Sequence, residues 1–539
     1  PWPSLGTLFR DDARGLVSTV REPSTQTTTN LYDAKGRLTN RVDAVASQLF
    51  RYDANNNITN IVASGRTNVW TYDAYNRVQS YRDADGYLIQ YRYDANHNLT
   101  NLIYPGNRVV TYAYDALNRL TNVVDWSGRQ TRFTYDLANR VTSITRPNGT
   151  QRTLSYDAAG QTTNIWERTA TGEPIALFRL NWNNAERVAW EFAAPLPPAY
   201  TPPARTMTFD EDNRIATFNS NPVTHDADGN LTSGPLTNNT LATYTYDARN
   251  RLLNVGGLSY GYDSAGQRIA LTNGANVTRL VVNPNAPLSQ VLMRVRSGVT
   301  NYYIHGLGLL YEITETATST NTATYHYDLR GSTIALSDGS GNVTDRVHYS
   351  PYASITFRSG TNDTPFLFNG RFGVQTDANG LLYMRARYYN PHLCRFINAD
   401  PIGFAGGLNH YAYADGNPVS LMDPFGLGAE KSGDYDQGMS WLQRTIATVM
   451  IDGDEQNFQR NLSQSNPTLY RQLYPRAPLA EPSTRDILML GVLLHTGKGT
   501  INAFRVPHPI AAKGTAQTTV LGENMMGRVI PFAENTGAR

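Results

Sequence analysis

The chain has 539 residues, which is too long for one ordinary core and indicates roughly three domains. Its 33 Tyr and 43 Gly, with only 17% charged residues, favour strands and tight turns over helices. The net charge of +2 gives no case for nucleic acid or an anionic membrane as partner of the whole chain, and the single cysteine, Cys394, excludes an intramolecular disulfide framework.

The chain shows neither a membrane span nor an export signal in its sequence. No apolar run approaches the roughly 20 residues that cross a bilayer, and the longest, "ILMLGVLL" at 487–494, indicates a buried helix. The chain opens with "PWPSLG", without Met or a signal peptide. We therefore expect a fragment or a processed product, whose start predicts neither compartment nor export route.

A Tyr-Asp repeat is the strongest signal in the first third of the chain. Its copies follow one another at steps of 20 or 21 residues and begin at Tyr32, Tyr52, Tyr72, Tyr93, Tyr114, Tyr135 and Tyr156. Copies such as "TYDAYNRVQS" and "AYDALNRLTN" predict a hairpin: a strand ends at Tyr, a turn follows, and Arg-Leu-Thr-Asn begins the return strand. Asp suits the turn because its carboxylate accepts backbone N–H groups, and Gly or Asn suits a position with positive φ.

The repeats predict an all-β fold. Later copies such as "TYDARNRLLN" and "HYDLRGSTIA" are degraded but persist to residue 335. A hairpin of about 20 residues cannot bury its own face, so neighbouring hairpins must join into one long, curling sheet. Polar residues alternate with Tyr and Leu, which indicates a sheet wet on one or both faces rather than a dense two-layer core. The alternative is a β-solenoid or a propeller with two hairpins in each blade of about 40 residues.

The repeats lead into a terminal block that carries a family resemblance. It reads "YHYDLRGSTIALSDGSGNVTDRVHYSPYA" from Tyr325 and "FNGRFGVQTDANGLLYMRARYYNPHLCRFINADPIG" from Phe368. Together with the repeats, these phrases resemble the RHS (YD-repeat) family and its associated core region. The resemblance covers about residues 25–427.

The resemblance implies an architecture and a function. Family members resemble hollow shells, or cocoons, in which a spiralling β-sheet winds around a cavity, a core region plugs one end, and a variable C-terminal segment, often a toxin, lies inside. Bacterial members are delivered by type VI secretion or belong to ABC-type insecticidal toxin complexes, and the animal teneurins carry a related shell. This implies a β-shell at 1–324, a core domain at 325–427 and an effector segment at 428–539.

The same resemblance predicts partners and a location. The chain's own C-terminal segment would be the cargo, an immunity protein or a secretion component would be a further partner, and the protein would act outside a bacterial cell. The shell would bind no nucleic acid, and no cofactor or metal is predicted.

An Asp-Pro-x-Gly motif occurs twice within 28 residues, in the stretch "DPIGFAGGLNHYAYADGNPVSLMDPFGL". The resemblance implies that this pair is an intramolecular aspartyl protease that cuts between Leu427 and Gly428. The motif residues are Asp400, Pro401, Gly403, Asp423, Pro424 and Gly426. Nineteen residues, Phe404 to Met422, separate the two motifs, and a turn-like loop there can absorb length without moving either aspartate.

The chemistry of two neighbouring carboxyls is coherent with self-cleavage. Because they cannot both ionise cheaply, they share a proton: the ionised member activates water and the protonated one polarises the peptide carbonyl. Arg395, in "CRFINADPIG", is a candidate cation for tuning the pair, with a structural salt bridge as its alternative role. Two alternatives stay open: both aspartates only cap turns, or Asp415 replaces one of them.

The composition changes at Gly428, where the repeat ends and helical patterns begin. "DQGMSWLQRTIATVMID" predicts an amphipathic helix, "DEQNFQRNLSQSNPTLYRQLYP" a second, and the stretch around Leu488 a third. Lys plus Arg number 11 and Asp plus Glu 10 in 428–539, which gives no basic footprint for a nuclease. "TVLGENMMGRVIPFAENTGA" resembles the opening of a toxin module, and the chain would then stop before its catalytic residues.

Two other functions compete with a self-cleaving toxin shell. One is a structural or adhesion module whose Tyr-rich surface binds carbohydrate or protein without any cleavage. The other is a secreted hydrolase with its active site on the sheet. The second is disfavoured because no convergent set of His, Ser and carboxylate residues stands out in residues 1–390.

Overall fold

The Tyr-Asp repeats form hairpins that join edge to edge into one sheet. A computed structural model of the chain describes residues 7–237 and 239–431. In the first large sheet each strand pairs antiparallel with the strand before and after it. Its 18 strands are β1 (Leu8–Asp11), β2 (Val17–Arg21), β3 (Thr27–Tyr32), β4 (Leu38–Val42), β5 (Ser47–Tyr52), β6 (Ile58–Ala63), β7 (Arg66–Tyr72), β8 (Val78–Arg82), β9 (Leu88–Tyr93), β10 (Leu99–Tyr104), β11 (Arg108–Tyr114), β12 (Leu120–Val124), β13 (Gln130–Tyr135), β14 (Val141–Thr145), β15 (Gln151–Tyr156), β16 (Thr162–Arg168), β17 (Pro174–Trp182) and β18 (Val188–Ala194).

The turn after each Tyr-Asp is built by the aspartate, as the sequence predicts. After β7, Oδ1 of Asp73 accepts the N–H of Arg77 at 3.0 Å, and Oδ2 accepts its Nε at 2.7 Å. Asn76 has a φ of +61°, which confirms that the turn needs a residue tolerant of the left-handed region. Nη1 of Arg77 reaches the Asp94 carbonyl at 3.0 Å and its guanidinium lies 4.7 Å from the Tyr93 ring, so adjacent repeats are tied together.

The repeat tyrosines fix the spacing between hairpins. Each hydroxyl donates a hydrogen bond to the carbonyl of the first residue of the preceding strand; Tyr135, for example, reaches Leu120 at 2.7 Å. The same bond, between 2.7 and 3.0 Å, is made by Tyr32, Tyr52, Tyr72, Tyr93, Tyr114 and Tyr156. The constant spacing of the tyrosines in the sequence therefore reflects a contact that is repeated in the structure.

Two small sheets link the first large sheet to a second one. The small sheets contain β19 (Met207–Phe209), β20 (Ile215–Phe218), β21 (Asn221–Pro222), β22 (Thr224–His225), β23 (Leu231–Pro235) and β24 (Leu241–Thr243). The second large sheet is again a sequential antiparallel meander. Its 12 strands are β25 (Thr245–Tyr246), β26 (Leu252–Val255), β27 (Leu258–Tyr262), β28 (Arg268–Asn273), β29 (Asn276–Asn283), β30 (Gln290–Arg296), β31 (Val299–Gly306), β32 (Gly308–Thr316), β33 (Thr320–Tyr327), β34 (Thr333–Ser337), β35 (Val343–Tyr349) and β36 (Ile355–Ser359).

The two large sheets share a hydrophobic core on their facing sides. Fully buried aliphatic residues come from both: Ile89, Val110, Val123 and Ile165 from the first, and Val281, Leu292, Ile304 and Ile313 from the second. The hydroxyl of Tyr104 also crosses to the Tyr303 carbonyl at 2.7 Å. The first sheet's other face carries exposed polar pairs such as Thr134 and Thr142, 2.9 Å apart, beside exposed apolar side chains such as Leu49 and Trp166. The expectation that no two-layer core forms is therefore wrong, because the buried positions alternate with polar ones and the average composition hides them.

The segment after β36 forms a small compact region against the strands from 215 to 260. Its elements are β37 (Gln375–Thr376), β38 (Leu382–Met384), β39 (Arg387–Asn390), β40 (Arg395–Phe396), β41 (Leu421–Met422), β42 (Glu430–Lys431) and the 3₁₀ helices Gly370–Phe372, Gly403–Gly406 and Ala414–Gly416. The expected domain boundary at 324/325 falls inside β33, so the second large sheet continues across it.

No helix among residues 7–237 and 239–431 is long and apolar enough to cross a membrane. The helices that the sequence predicts around 436–494 lie outside the described residues.

Candidate active site

The second Asp-Pro-x-Gly motif forms a tight turn directly after β41. The N–H of Gly426 donates to the carbonyl of Asp423 at 3.3 Å, and Oδ1 of Asp423 accepts the N–H of Leu427 at 3.0 Å. Gly426 has a φ of +70°, and a Cβ there would lie 2.8 Å from the carbonyl oxygen of Met384. The turn therefore needs glycine for two reasons, a left-handed backbone and a close approach to a neighbouring chain.

The first motif forms a similar turn soon after β40. The N–H of Gly403 donates to the Asp400 carbonyl at 3.0 Å, and Oδ1 of Asp400 accepts the N–H of Ile402 at 3.1 Å. The second oxygen of the carboxyl is left to face the other motif.

Arg387, the first residue of β39, brings the two carboxyls together. Its Nη2 lies 2.8 Å from Oδ2 of Asp400 and 3.3 Å from Oδ2 of Asp423, and all three side chains are 2% exposed. Its Nε donates to the Gly426 carbonyl at 2.5 Å, and its guanidinium stacks 3.7 Å from the centre of the Phe396 ring. The two carboxyls that the sequence singles out therefore meet at one buried cation.

Burial raises the pKa of both carboxyls, and Arg387 opposes that rise. Burial raises the pKa of Asp400 to about 7, with Arg387 opposing and Asp423 adding to the rise. Burial also raises the pKa of Asp423, while Arg387 and the N–H groups of Gly428, Leu427 and Gly426 oppose that rise. Asp423 faces more donors than Asp400, which favours its ionised form, and Asp400 is then the member that holds a proton near neutral pH.

The peptide bond predicted to be cut lies next to this pair. The N–H of Leu427 is bound by Asp423, and the Leu427 side chain is buried in a small apolar cluster with Phe372, Met422 and Phe425. Gly428, on the other side of the bond, is partly exposed. The chain is thus held firmly before the bond, and water has access after it.

Arg395 does not lie at the pair. Its guanidinium donates to the carbonyl of Asn213 and lies 4.9 Å from the centre of the Tyr411 ring, and burial lowers its pKa to about 10. The role expected for Arg395 is taken by Arg387, eight residues earlier in the phrase "YMRARYYN". Asp415 is exposed within the helix Ala414–Gly416, so the pair is formed by the two motif aspartates.

Sequence reasoning also missed a buried Ser-His-Glu arrangement between the two large sheets. Nε2 of His326 lies 2.9 Å from Oγ of Ser337, and its Nδ1 lies 3.0 Å from Glu167. The three residues are fully buried, and Glu167 also pairs with Arg146 and Arg152 at 2.8 Å each. Because these buried side chains leave no access for a substrate, the set is a polar link between the sheets. It gives no support to the hydrolase alternative.

The described part of the chain holds no group of three or more His, Cys, Asp and Glu residues that could bind a metal ion. Residues 432–539 of the expected effector segment lie outside the described residues.

Comparisons with known proteins identify the repeats. The teneurin YD-shell family model matches residues 9–170. The tRNA3(Ser)-specific nuclease WapA of Bacillus spizizenii is 30% identical over 232 residues, which are 41% of this chain and 10% of WapA. The double-stranded DNA deaminase toxin A of Burkholderia cenocepacia is 26% identical over 339 residues, which are 53% of this chain and 23% of that toxin.

Solved structures share the fold at low sequence identity. The TcdB2-TccC3 complex without its hypervariable C-terminal region superposes with a TM-score of 0.56 at 16% identity, over 78% of this chain and 28% of that one. A Tc holotoxin pore of Photorhabdus luminescens gives a TM-score of 0.59 at 16% identity, over 79% of this chain and 27% of that one. The chain therefore has the fold of a YD-repeat β-shell, and it spans between 10% and 28% of each of these proteins.

Proposed function

Because this chain is a YD-repeat protein of the RHS type, we propose that it is a toxin shell that cuts its own chain between Leu427 and Gly428. The observation that carries the proposal is the buried pair of Asp400 and Asp423, joined by one guanidinium and bonded to the N–H of Leu427. The segment from Gly428 is the cargo, and the cut removes its peptide bond to the shell.

The cut proceeds as a hydrolysis with a shared proton. Ionised Asp423 takes a proton from water, whose oxygen bonds to the carbonyl carbon of Leu427, while protonated Asp400 gives its proton to the carbonyl oxygen. When the resulting diol collapses, the bond to Gly428 breaks. Asp423 passes its proton to the leaving nitrogen, and Asp400 recovers one from the diol. The products are the Leu427 acid and the Gly428 amine.

Two features favour this reaction in place. The catalytic carboxyl and the bond to be cut belong to the same chain, because the bond lies four residues after Asp423 and is fixed by the turn. Both carboxyls are also almost fully buried, which strengthens their interaction with Arg387. The reaction needs the proton on Asp400, so we expect the rate to fall as pH rises above about 7, where that proton is lost.

The names of the matched relatives support the proposal that the chain carries a toxin. The matched proteins include a nuclease, a deaminase toxin and the toxin subunit YenC1 of Yersinia entomophaga. By analogy, residues 1–427 form the shell and its core domain, and 428–539 carry an effector delivered outside a bacterial cell. An immunity protein or a secretion component would be its partner.

The test is the intact mass of the freshly purified full chain under denaturing conditions. Wild type should give two fragments, 1–427 and 428–539, while Asp400→Asn and Asp423→Asn should stay whole. Asp415→Asn is the matched control, since it removes an exposed carboxyl from the same region and should still be cut. A single uncut wild-type chain would refute the protease and favour the non-cleaving adhesion module.

A native separation tests retention of the cargo. After the cut, both fragments should elute together in size-exclusion chromatography without denaturant and separate in denaturant. Immediate separation under native conditions would contradict the shell's role as a container while leaving the cut itself intact.

A further inference from the structure

Gly406 lies where the two reacting partners meet. It ends the 3₁₀ helix Gly403–Gly406, between the two motifs. A Cβ at this position would overlap Oδ2 of Asp400, would lie 2.7 Å from its Cγ, and would be 3.2 Å from the carbonyl oxygen of Leu427. The backbone of Gly406 is therefore packed against both the carboxyl and the carbonyl of the bond to be cut.

The reason for glycine here is space and not backbone conformation. Gly403 and Gly426, the motif glycines, both have positive φ, so any other residue there would be strained. Gly406 is outside the left-handed region, so alanine can adopt its backbone conformation. The methyl group of an alanine at this position would instead displace Oδ2 of Asp400.

We propose that Gly406 is a positioning residue of the self-cleavage site, which holds the Asp400 carboxyl against the carbonyl of Leu427 by having no side chain. This inference rests on the proposed function. Oδ2 of Asp400 is packed against the backbone of Gly406, and the same oxygen lies 2.8 Å from Nη2 of Arg387. These two contacts keep the carboxyl in the orientation that presents its proton to the carbonyl oxygen. A methyl group at Gly406 would displace the carboxyl from this position.

The first experiment measures the cleavage rate. Full-length chain is pulse-labelled in a cell-free system, chased, and sampled into denaturant for gel analysis. Gly406→Ala should slow the cut by about 100-fold, the usual effect of an ångström-scale displacement of a reacting group. Gly339→Ala is the control, because Gly339 also lacks a positive φ and its Cβ would meet only the rotatable hydroxyl of Thr322 at 3.0 Å. It should be cut at the wild-type rate.

The outcomes separate the inference from the proposed function. If wild type and Gly339→Ala are cut and Gly406→Ala is slow, the positioning role is supported. If all three are cut at one rate, the inference is refuted while the protease stands. If wild type is not cut, the protease itself fails.

A stability cycle distinguishes positioning from a general folding defect. The urea midpoint is measured for Gly406→Ala in an Asp423→Asn background, where no chain is cut, and in the same background with Asp400→Ala added, where no carboxyl remains at position 400 for the methyl group to displace. We expect a lowered midpoint in the first background and little change in the second. Equal losses in both backgrounds would show that the methyl group disturbs something other than Asp400 and would overturn the inference.

Discussion

Replacing Arg387 by methionine should both abolish self-cleavage and make stability strongly dependent on pH. The guanidinium is the cation shared by Asp400 and Asp423, at 2.8 and 3.3 Å, and it also binds the carbonyl of Gly426. Methionine keeps much of the side chain's length and its contact with Phe396 but removes the charge. Without that charge the pKa of both carboxyls rises further, so both carry protons at neutral pH and neither can act as the base.

The magnitude follows from burial. The three side chains are each 2% exposed, so removal of the cation leaves buried carboxyls without a counter-charge, which costs about 3–5 kcal/mol when they are ionised. Protonation relieves this cost at lower pH. In wild type Asp400 titrates near 7 when folded and near 3.8 when unfolded, so the folded chain holds the extra proton and stability falls as pH rises between these values. In the variant the fall should continue well above pH 7.

The assay compares each protein's urea midpoint at one pH with its own midpoint at another, so a difference in cleavage between wild type and variant does not affect the comparison. Urea midpoints are measured at pH 7.0 and 8.5, and cleavage is read by intact mass. Wild type should change little over this range, while Arg387→Met should stay uncut and lose stability. Arg395→Met is the matched control: it removes a buried arginine bound to Asn213, away from the pair, and should be cut normally. A variant that is cut like wild type, or whose stability does not vary between the two pH values, would refute the reasoning.

Three further predictions concern the shell. Tyr135→Phe should lower the free energy of unfolding by about 1 kcal/mol, since it removes one hydrogen bond to Leu120, and a urea midpoint equal to wild type would contradict that role. Glu167→Gln should cost about 3–5 kcal/mol, because two buried arginines lose their counter-charge, whereas Glu315→Gln, from the partly exposed pair with Arg108, should cost about 0–1 kcal/mol; equal urea midpoints for the two variants would refute the comparison. The backbone N–H of Arg140 lowers the pKa of Asp136 below 3.8, and desolvation opposes this with a smaller effect. The turn therefore stabilises the folded chain above about pH 4, and this stabilisation is lost as pH falls. Acid unfolding of Asp136→Asn should therefore be less steep between pH 5 and 2.5, and an unchanged slope would argue against the turn's contribution.

The hairpins could be predicted from sequence because their chemistry is local. The carboxylate of Asp73 binds a residue only four positions ahead, and Asn76 supplies the left-handed turn position. Both interactions are written into a stretch of five residues that recurs along the chain. The aspartates of the candidate site could be found for a similar reason, because their motif is short and occurs twice.

The partners in the site could not be predicted because they come from distant parts of the chain. Arg387 belongs to β39, and nothing in its neighbourhood marks it above Arg385 or Arg395. Its role appears only when three separate segments meet. The same holds for Glu167 and His326, which are 159 residues apart and join the two large sheets. A buried charge pair leaves no periodic pattern along the sequence, whereas a core-facing side chain does.

These distant contacts imply that the proposed cut is conditional on folding. The segment before Asp400 is held by β23, where the N–H of Leu231 donates to the Ile397 carbonyl at 2.9 Å. The segment before Asp423 is held by β18, where the N–H of Val188 donates to Oγ of Ser420 across 232 residues. Closing such loops costs entropy that only a folded shell offsets, so the buried arrangement of the two carboxyls around Arg387 forms only in the folded chain. If the proposed function is right, the peptide bond to the cargo is therefore cut only after the sheets of the shell have folded.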